Sequence, residues 1–189
     1  MDEIDSVLSR LTRPEHLWSR SECLSRPSPV PATAGLYGWY FRELPPGVDG
    51  NGCVRREEFT LLYVGIAPSR PLGHNGLRST SSLRSRIRMH YAGSAEGSTL
   101  RLSLGALLAK KLGLRRDPTS TSKSFGEGEV KLSNWMEANA CVTWVEQAEP
   151  WSIETSVIAR LYLPFNLAHN RDHPFWAHLT RSRSRQAQF

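Results

Sequence analysis

With 189 residues, 39% hydrophobic and 22% charged, the chain is long enough for one domain with its own core and has the composition of a globular protein. No apolar run approaches the roughly 20 residues that span a bilayer, the acidic start MDEIDSVLSRL is not a secretion signal, and Cys23, Cys53 and Cys141 are too scattered for a disulfide framework or zinc pair, so a cytoplasmic protein is expected. The net charge of +6 and pI ≈ 9.6 rest on arginine, with only Lys110, Lys111, Lys123 and Lys131 as lysines; arginine's planar fork grips phosphate at two points, which predicts a polyanionic partner.

In chain order, Ile4, Val7, Leu8 and Leu11 share one stripe and predict a helix over residues 3–12. RPSPVPATA, residues 26–34, is a proline-rich connector that delivers extended chain into the next segment. GLYGWYF, residues 35–41, reads as a strand. A long Pro- and Gly-rich turn leads to a second strand, FTLLYVGIA, residues 59–67, apolar enough to be central in a sheet. The two strands pair as a hairpin with an expanded connection, or lie as parallel neighbours. PSRPLGHNGLRSTSS, residues 68–82, is a loop whose serines suit the start of a helix, LRSRIRMHY, at 83–91.

Further helices are expected at 98–113, at LSNWMEANA (132–140) with Ser133 as its N-cap, and at WSIETSVIARLY (151–162), ended by Pro164. CVTWVEQ, residues 141–147, alternates as a strand does. RRDPTSTSKSFGEGE, residues 115–129, reads as a disordered loop with Glu127 and Glu129 as solvated charges. RSRSRQAQF, residues 181–189, reads as a mobile basic tail, with Arg181, Arg183 and Arg185 as solvated charges or, in a DNA-binding protein, phosphate contacts. Most tryptophans are expected in the core.

Three groups of residues carry chemistry. On the 83–91 helix, Leu83 and Ile87 mark the buried stripe, with Arg86 and His90 beside it as an i,i+4 pair. Arg84 and Arg88 form a second pair turned towards water or a phosphate backbone. Glu154 sits at the border of the next helix's buried face, either as a carboxylate at a helix N-terminus or as a ligand for a hydrated Mg²⁺. His169 and His173 in HNRDH lie four apart but between Pro164 and Pro174, as surface histidines of a loop rather than a zinc site.

Gly35-Leu36-Tyr37, Tyr63-Val64-Gly65, Arg86 with His90, Glu154, and Asn166 after Pro164 occur in the order seen in GIY-YIG nucleases. The chain resembles that superfamily from about residue 33 to about residue 170. The resemblance implies an α/β fold with a short central antiparallel or mixed β-sheet flanked by helices, plus a helical insertion. On that reading residues 1–30 are an N-terminal helix and connector, 31–175 the nuclease-like domain with its insertion at about 94–133, and 176–189 a basic tail.

The implied activity is metal-dependent hydrolysis of DNA phosphodiester bonds. Glu154 would hold one divalent ion, Mg²⁺ or Mn²⁺, and Arg86 would steady the phosphoryl charge. Tyr37 would act as the base-like group with Tyr63 positioning water, or the reverse, and His90 would share a proton or serve as base. Arg84, Arg88 and Asn166 would contact nucleic acid, and Gly35 and Gly65 would serve as structural residues of the site, with Gly65 permitting close backbone approach. Both the connection between the tyrosine motifs and the stretch from His90 to Glu154 are longer than is usual for the family. The alternatives are a non-catalytic nucleic-acid-binding module on the same scaffold and an RNA-directed nuclease. Homodimerisation to cut two strands is an open expectation.

Overall fold

The computed structural model describes residues 2–69, 81–117 and 119–185. Among them are four strands: β1 (Gly35–Phe41), β2 (Arg55–Arg56), β3 (Phe59–Ala67) and β4 (Ala140–Glu146). Seven helices accompany them: α1 (Glu3–Thr12), α2 (Arg20–Leu24), α3 (Leu83–Ala92), α4 (Thr99–Leu112), α5 (Gly128–Asn139), α6 (Pro150–Ala159) and α7 (Trp176–Arg185). No helix among the described residues is long and apolar enough to cross a membrane. The loop expected at 68–82 lies mostly outside the described residues, as do residues 186–189.

The strands form one antiparallel sheet in the order β2-β3-β1-β4. The α/β expectation holds, and the antiparallel pairing of the two tyrosine strands is the one realised. Every residue of β1 is buried, because both faces of the sheet are covered. Side chains alternate between those faces. Tyr37, Trp39 and Phe41 join Leu83 and Ile87 of α3, Leu104 of α4, Trp135 of α5 and Leu179 of α7. Leu36 and Tyr40 face the other way, towards Val7 and Leu11 of α1 and Ile153 and Val157 of α6. Tyr40 also donates its hydroxyl to the Leu11 carbonyl at 2.6 Å, which ties α1 to the sheet.

A bulge interrupts the β1–β3 ladder. Trp39 stands opposite Tyr63 but Tyr40 opposite Leu61, so Leu62 is the extra residue. It lets Leu62 and Tyr63, neighbours in sequence, both serve the face that carries α3 and α4. On its other edge β3 is paired by β2 only at Phe59 and Thr60. The rest of that edge is left to other partners.

The structure corrects four expectations. The described residues of 115–129 are tied down rather than free: the Glu129 carboxylate accepts from the amides of Ala95 and Phe125 and from buried Arg101. With that anchor α5 begins at Gly128, and Ser133 lies inside it, donating to the Glu129 carbonyl instead of capping. Helix α6 begins at Pro150, so Glu154 lies beyond the first turn, where the helix dipole has faded. The expected basic tail is α7 as far as Arg185, packed on α4 through Leu179, which is fully buried. Of the tryptophans, Trp39 and Trp135 are buried, whereas Trp144, Trp151 and Trp176 are only half-buried.

Candidate active site

The β1–β3 register sets Gly65 opposite Tyr37 and Tyr63 opposite Trp39. Both tyrosines therefore rise from the same face, with ring centroids 6.4 Å apart. A Cβ at Gly65 would stand 2.5 Å from Tyr37 Oη and 2.6 Å from its Cζ. Only a residue without a side chain lets the Tyr37 ring lie across β3, which is the close approach that Gly65 permits. Gly35 is confined in the same way, since its Cβ would run into the Val145 carbonyl of β4 and a methyl of Leu83. Gly65→Ala is expected to cost about 1–3 kcal/mol by overpacking. Tyr37→Phe should not rescue it, because Cζ and Cε2 of the ring remain in the way. Urea denaturation of both variants measures this; an unshifted midpoint would mean that the ring has room to move.

Helix α3 begins in a capping box formed by Ser82 and Ser85, which fixes its phase. Leu83 and Ile87 enter the core, and Arg86 and His90 fall where the i,i+4 pattern predicts, over Tyr37. The Tyr37 hydroxyl lies 2.9 Å from His90 Nε2 and accepts from Arg86 Nε at 3.3 Å. His90 Nδ1 is 2.7 Å from Ser98 Oγ, the N-cap of α4. The neutral ring donates from one nitrogen and accepts at the other, so it links the Tyr37 and Ser98 hydroxyls, each of which also accepts from an N–H, Tyr37 from Arg86 and Ser98 from the Arg101 amide. Arg86 Nη1 also donates to the Gly97 carbonyl at 2.9 Å. Two anchors hold its guanidinium, and the remaining N–H groups stay available.

Burial sets the protonation states. Tyr37 is 1% exposed, and desolvation pushes its phenol well above the usual range, with Tyr63 adding to the rise and Arg86 opposing it. His90 is fully buried and held well below the usual histidine range by desolvation first, then by the charges of Arg86 and Arg101. His90 is therefore neutral in the folded protein. Above pH 6.5, the ordinary histidine value, folded and unfolded states are both neutral; below it the unfolded chain takes a proton that the folded chain refuses. Stability should be complete above about pH 6.5 and decline as the pH falls towards the depressed folded value. Melting temperatures between pH 5 and 8 measure the slope, which His90→Gln should flatten; an unaltered slope would place the titration elsewhere.

Tyr63 is half-buried and lines a cavity of about 190 Å³ together with Glu154 of α6, Thr99 and Ser103 of α4, Asn166, and Arg183 of α7. Glu154 reaches it from the opposite sheet face because β2 leaves the edge of β3 uncovered there. The same gap is closed by Phe165, whose amide donates to the Leu62 carbonyl. Asn166 completes it with two bonds to Val64, accepting from its amide at 3.0 Å and donating to its carbonyl at 2.8 Å. Both amide atoms of Asn166 are engaged in holding the wall. The Glu154 carboxylate makes no hydrogen bond or ion pair with a described residue, and burial raises its pKa, with His169 opposing. Among the described residues no three of His, Cys, Asp and Glu cluster as a metal cage.

Two tyrosines, an arginine and a histidine thus meet over one sheet face, with a lone carboxylate beside them. A family model described as the GIY-YIG catalytic domain matches residues 35–185. The chain belongs to the GIY-YIG family, a nuclease-type family. No curated protein and no solved structure matches the chain at a significant level.

The GIY-YIG match extends through α7, beyond the span that the motifs alone suggested. Tyr37, Tyr63, Arg86 and His90 are in mutual contact through the bonds and ring pairs described, including 6.3 Å between the Tyr63 and His90 centroids. Glu154 is joined to them through the Tyr63 cavity and through its charge, which reaches Tyr37. Arg84 and Arg88 project from the outer side of α3, exposed. Arg84 donates to the Val30 carbonyl at 2.7 Å, and Arg88 makes no hydrogen bond with a described residue. His173, expected at the surface, is 8% exposed with Nδ1 accepting from the Phe175 amide, because Tyr162 packs on its ring. His169 is exposed.

The sequence leaves Arg183 in a tail, either solvated or on a phosphate, whereas in this GIY-YIG domain it is half-buried in α7 against Tyr63. One signal was available: Arg183 follows Leu179 by four residues, so a helix that buries Leu179 turns Arg183 to the same side. Ser98, Thr99 and Ser103 carried no comparable signal, since nothing local says which hydroxyls of α4 face a cavity.

Proposed function

We propose that the protein is a metal-dependent endonuclease that hydrolyses DNA phosphodiester bonds. The observation that carries this reading is the convergence of Tyr37, Tyr63, Arg86 and His90 with a cavity that presents the unpaired carboxylate of Glu154. The strongly basic chain supplies the complementary field for a phosphate backbone.

A single half-buried carboxylate among hydroxyls suits a divalent ion that keeps most of its waters, and Mg²⁺ binds in that way. Glu154 would hold it, and a bound ion supplies charge relief at the phosphoryl oxygens and makes water more acidic. The chain's own residues do the rest. Arg86, clamped by Tyr37 and Gly97, points its free N–H groups at the charge that grows on the phosphate. Tyr63, facing the cavity, orients the attacking water. Tyr37, protonated and enclosed, positions Arg86 and holds His90 by a hydrogen bond. Our reading thus gives the water-handling role to Tyr63 and a supporting role to Tyr37 and His90.

Incubating supercoiled plasmid with the protein and Mg²⁺ or Mn²⁺, and then with chelator, tests the proposal. Nicked and linear products that vanish with the chelator are expected; intact plasmid under all conditions would overturn the assignment. Parallel digestion of single- and double-stranded DNA and RNA identifies the preferred sugar and strand state.

A further inference from the structure

Beside the Tyr63–Glu154 cavity lies a second one, of about 400 Å³, with which it shares two walls, Leu167 and Arg183. Its other polar walls are Arg116, Thr121 and Lys123 from the insertion, and Thr180 and Ser184 from α7. Among the described residues three cations and three hydroxyls face one space, and no carboxylate lines it. Glu96, which does not line it, accepts from the Lys123 amide and the Ser122 hydroxyl, and its charge reaches Lys123 and Arg116.

Two buried polar atoms in that wall lack a partner among the described residues: Arg116 Nε, although its Nη2 donates to the Ser122 carbonyl at 2.9 Å, and Thr180 Oγ1. Arg183 itself makes no hydrogen bond or ion pair with a described residue, even though it is half-buried. Buried donors without partners are rare in folded proteins and ask for a ligand. Donors that are cationic or hydroxyl-bearing, in a recess without a carboxylate, match a phosphate. A guanidinium carries five N–H donors in a plane, so Arg183 can serve both cavities.

We propose that this basic recess is a second phosphate subsite, which holds the backbone phosphate next to the one being cut, with Arg183 bridging the two. The proposal rests on the nuclease reading for which phosphate is cut, but not for phosphate binding itself. The insertion would then set how the strand enters: its Arg116 and Lys123 grip the strand on one side of the catalytic cavity, and α7 forms the septum between the two phosphates.

The test uses the full chain and a fluorescent DNA oligonucleotide, with anisotropy recorded in chelator between 50 and about 300 mM salt. Lys123→Gln, exposed at the surface, Arg116→Gln/Lys123→Gln and Arg183→Gln are compared with the parent, with melting curves as a folding control. Each lost phosphate contact should lower the log–log salt slope by about 0.9 and weaken binding about tenfold near 0.1 M salt. Arg183→Gln should, in addition, slow single-turnover cleavage at saturating DNA. Folded variants that keep the parent's affinity and slope would overturn the subsite. Binding with normal losses in the variants but no cleavage by the parent would overturn the nuclease reading and leave the subsite standing. A parent that binds no DNA would overturn both.

Discussion

Glu154→Gln and Arg86→Ala should each lower plasmid cleavage by about 10²–10³-fold or more, the scale seen when a charge-stabilising group is removed from an active site. The two should differ in stability, and that difference makes the prediction sharp. Glutamine has the shape of glutamate without its charge. Burial raises the Glu154 pKa, so the ionised form is disfavoured in the folded state, and this penalty grows as the pH rises through the raised value. Glu154→Gln should therefore melt higher than the parent at pH 8, with the gap closing in acid. Arg86→Ala should melt lower, because it takes the donor away from the buried Tyr37 oxygen and leaves that acceptor one bond short, at a cost of about 1–3 kcal/mol. Arg86→Lys keeps the charge but not the fork, so it should recover part of the binding and little of the rate. Undiminished Mg²⁺-dependent cleavage in a folded Glu154→Gln or Arg86→Ala protein would remove that residue from the mechanism.

The tyrosine, arginine and histidine half of this arrangement was legible because its signals are local. A glycine two residues from a tyrosine in each of two strands, in mirrored order, is what an antiparallel pair needs if one ring is to cross the neighbouring backbone. The structure shows that crossing at Gly65. Arg86 and His90 were legible for the same reason, since i,i+4 spacing beside a Leu83–Ile87 stripe fixes their direction once α3 forms. Glu154 could be named but not placed. Its route to Tyr63 depends on β2 being only two residues long, and nothing in the composition of a turn announces how much of a strand edge it will cover.

What stayed hidden depended on pairs distant in sequence. The run RSRSR looks like solvated tail from its composition, and only the burial of Leu179 against α4 makes it a helix that aims Arg183 at the site. The short α2 carried a readable capping box, Ser19 to Glu22, but no apolar period long enough to reveal it. Glu129 was the largest misreading. Beside Gly126, Glu127 and Gly128 it has every local mark of a loop charge, and its partner Arg101 sits 28 residues upstream on a helix that otherwise reads as core.

Breaking that pair is the second large effect: Glu129→Ala should destabilise the protein by about 3–5 kcal/mol, the usual result of leaving a buried charge alone. Arg101 is 0% exposed. Its Nε and Nη2 donate to Glu129 Oε2 at 3.0 and 2.6 Å, Nη2 donates again to the Glu129 carbonyl at 2.8 Å, and Nη1 reaches the His90 carbonyl at 3.2 Å. The other Glu129 oxygen accepts from the amides of Ala95 and Phe125 and from the Ser124 hydroxyl, so alanine strands three donors as well as a cation. For a chain of this size the loss corresponds to a melting point roughly 6–20 °C lower. Arg101→Met/Glu129→Leu, which removes both charges, should be milder than Glu129→Ala alone, since exchanging a buried pair for apolar side chains is often close to neutral. Urea denaturation of the three proteins decides the matter. A cost below about 1 kcal/mol for Glu129→Ala would mean that water reaches the guanidinium and that the insertion is held by packing alone. The expected larger cost would mean that one ion pair fastens α4 and α5 to the end of α3, and so keeps Ser98 under His90 and Tyr37 in register with Arg86.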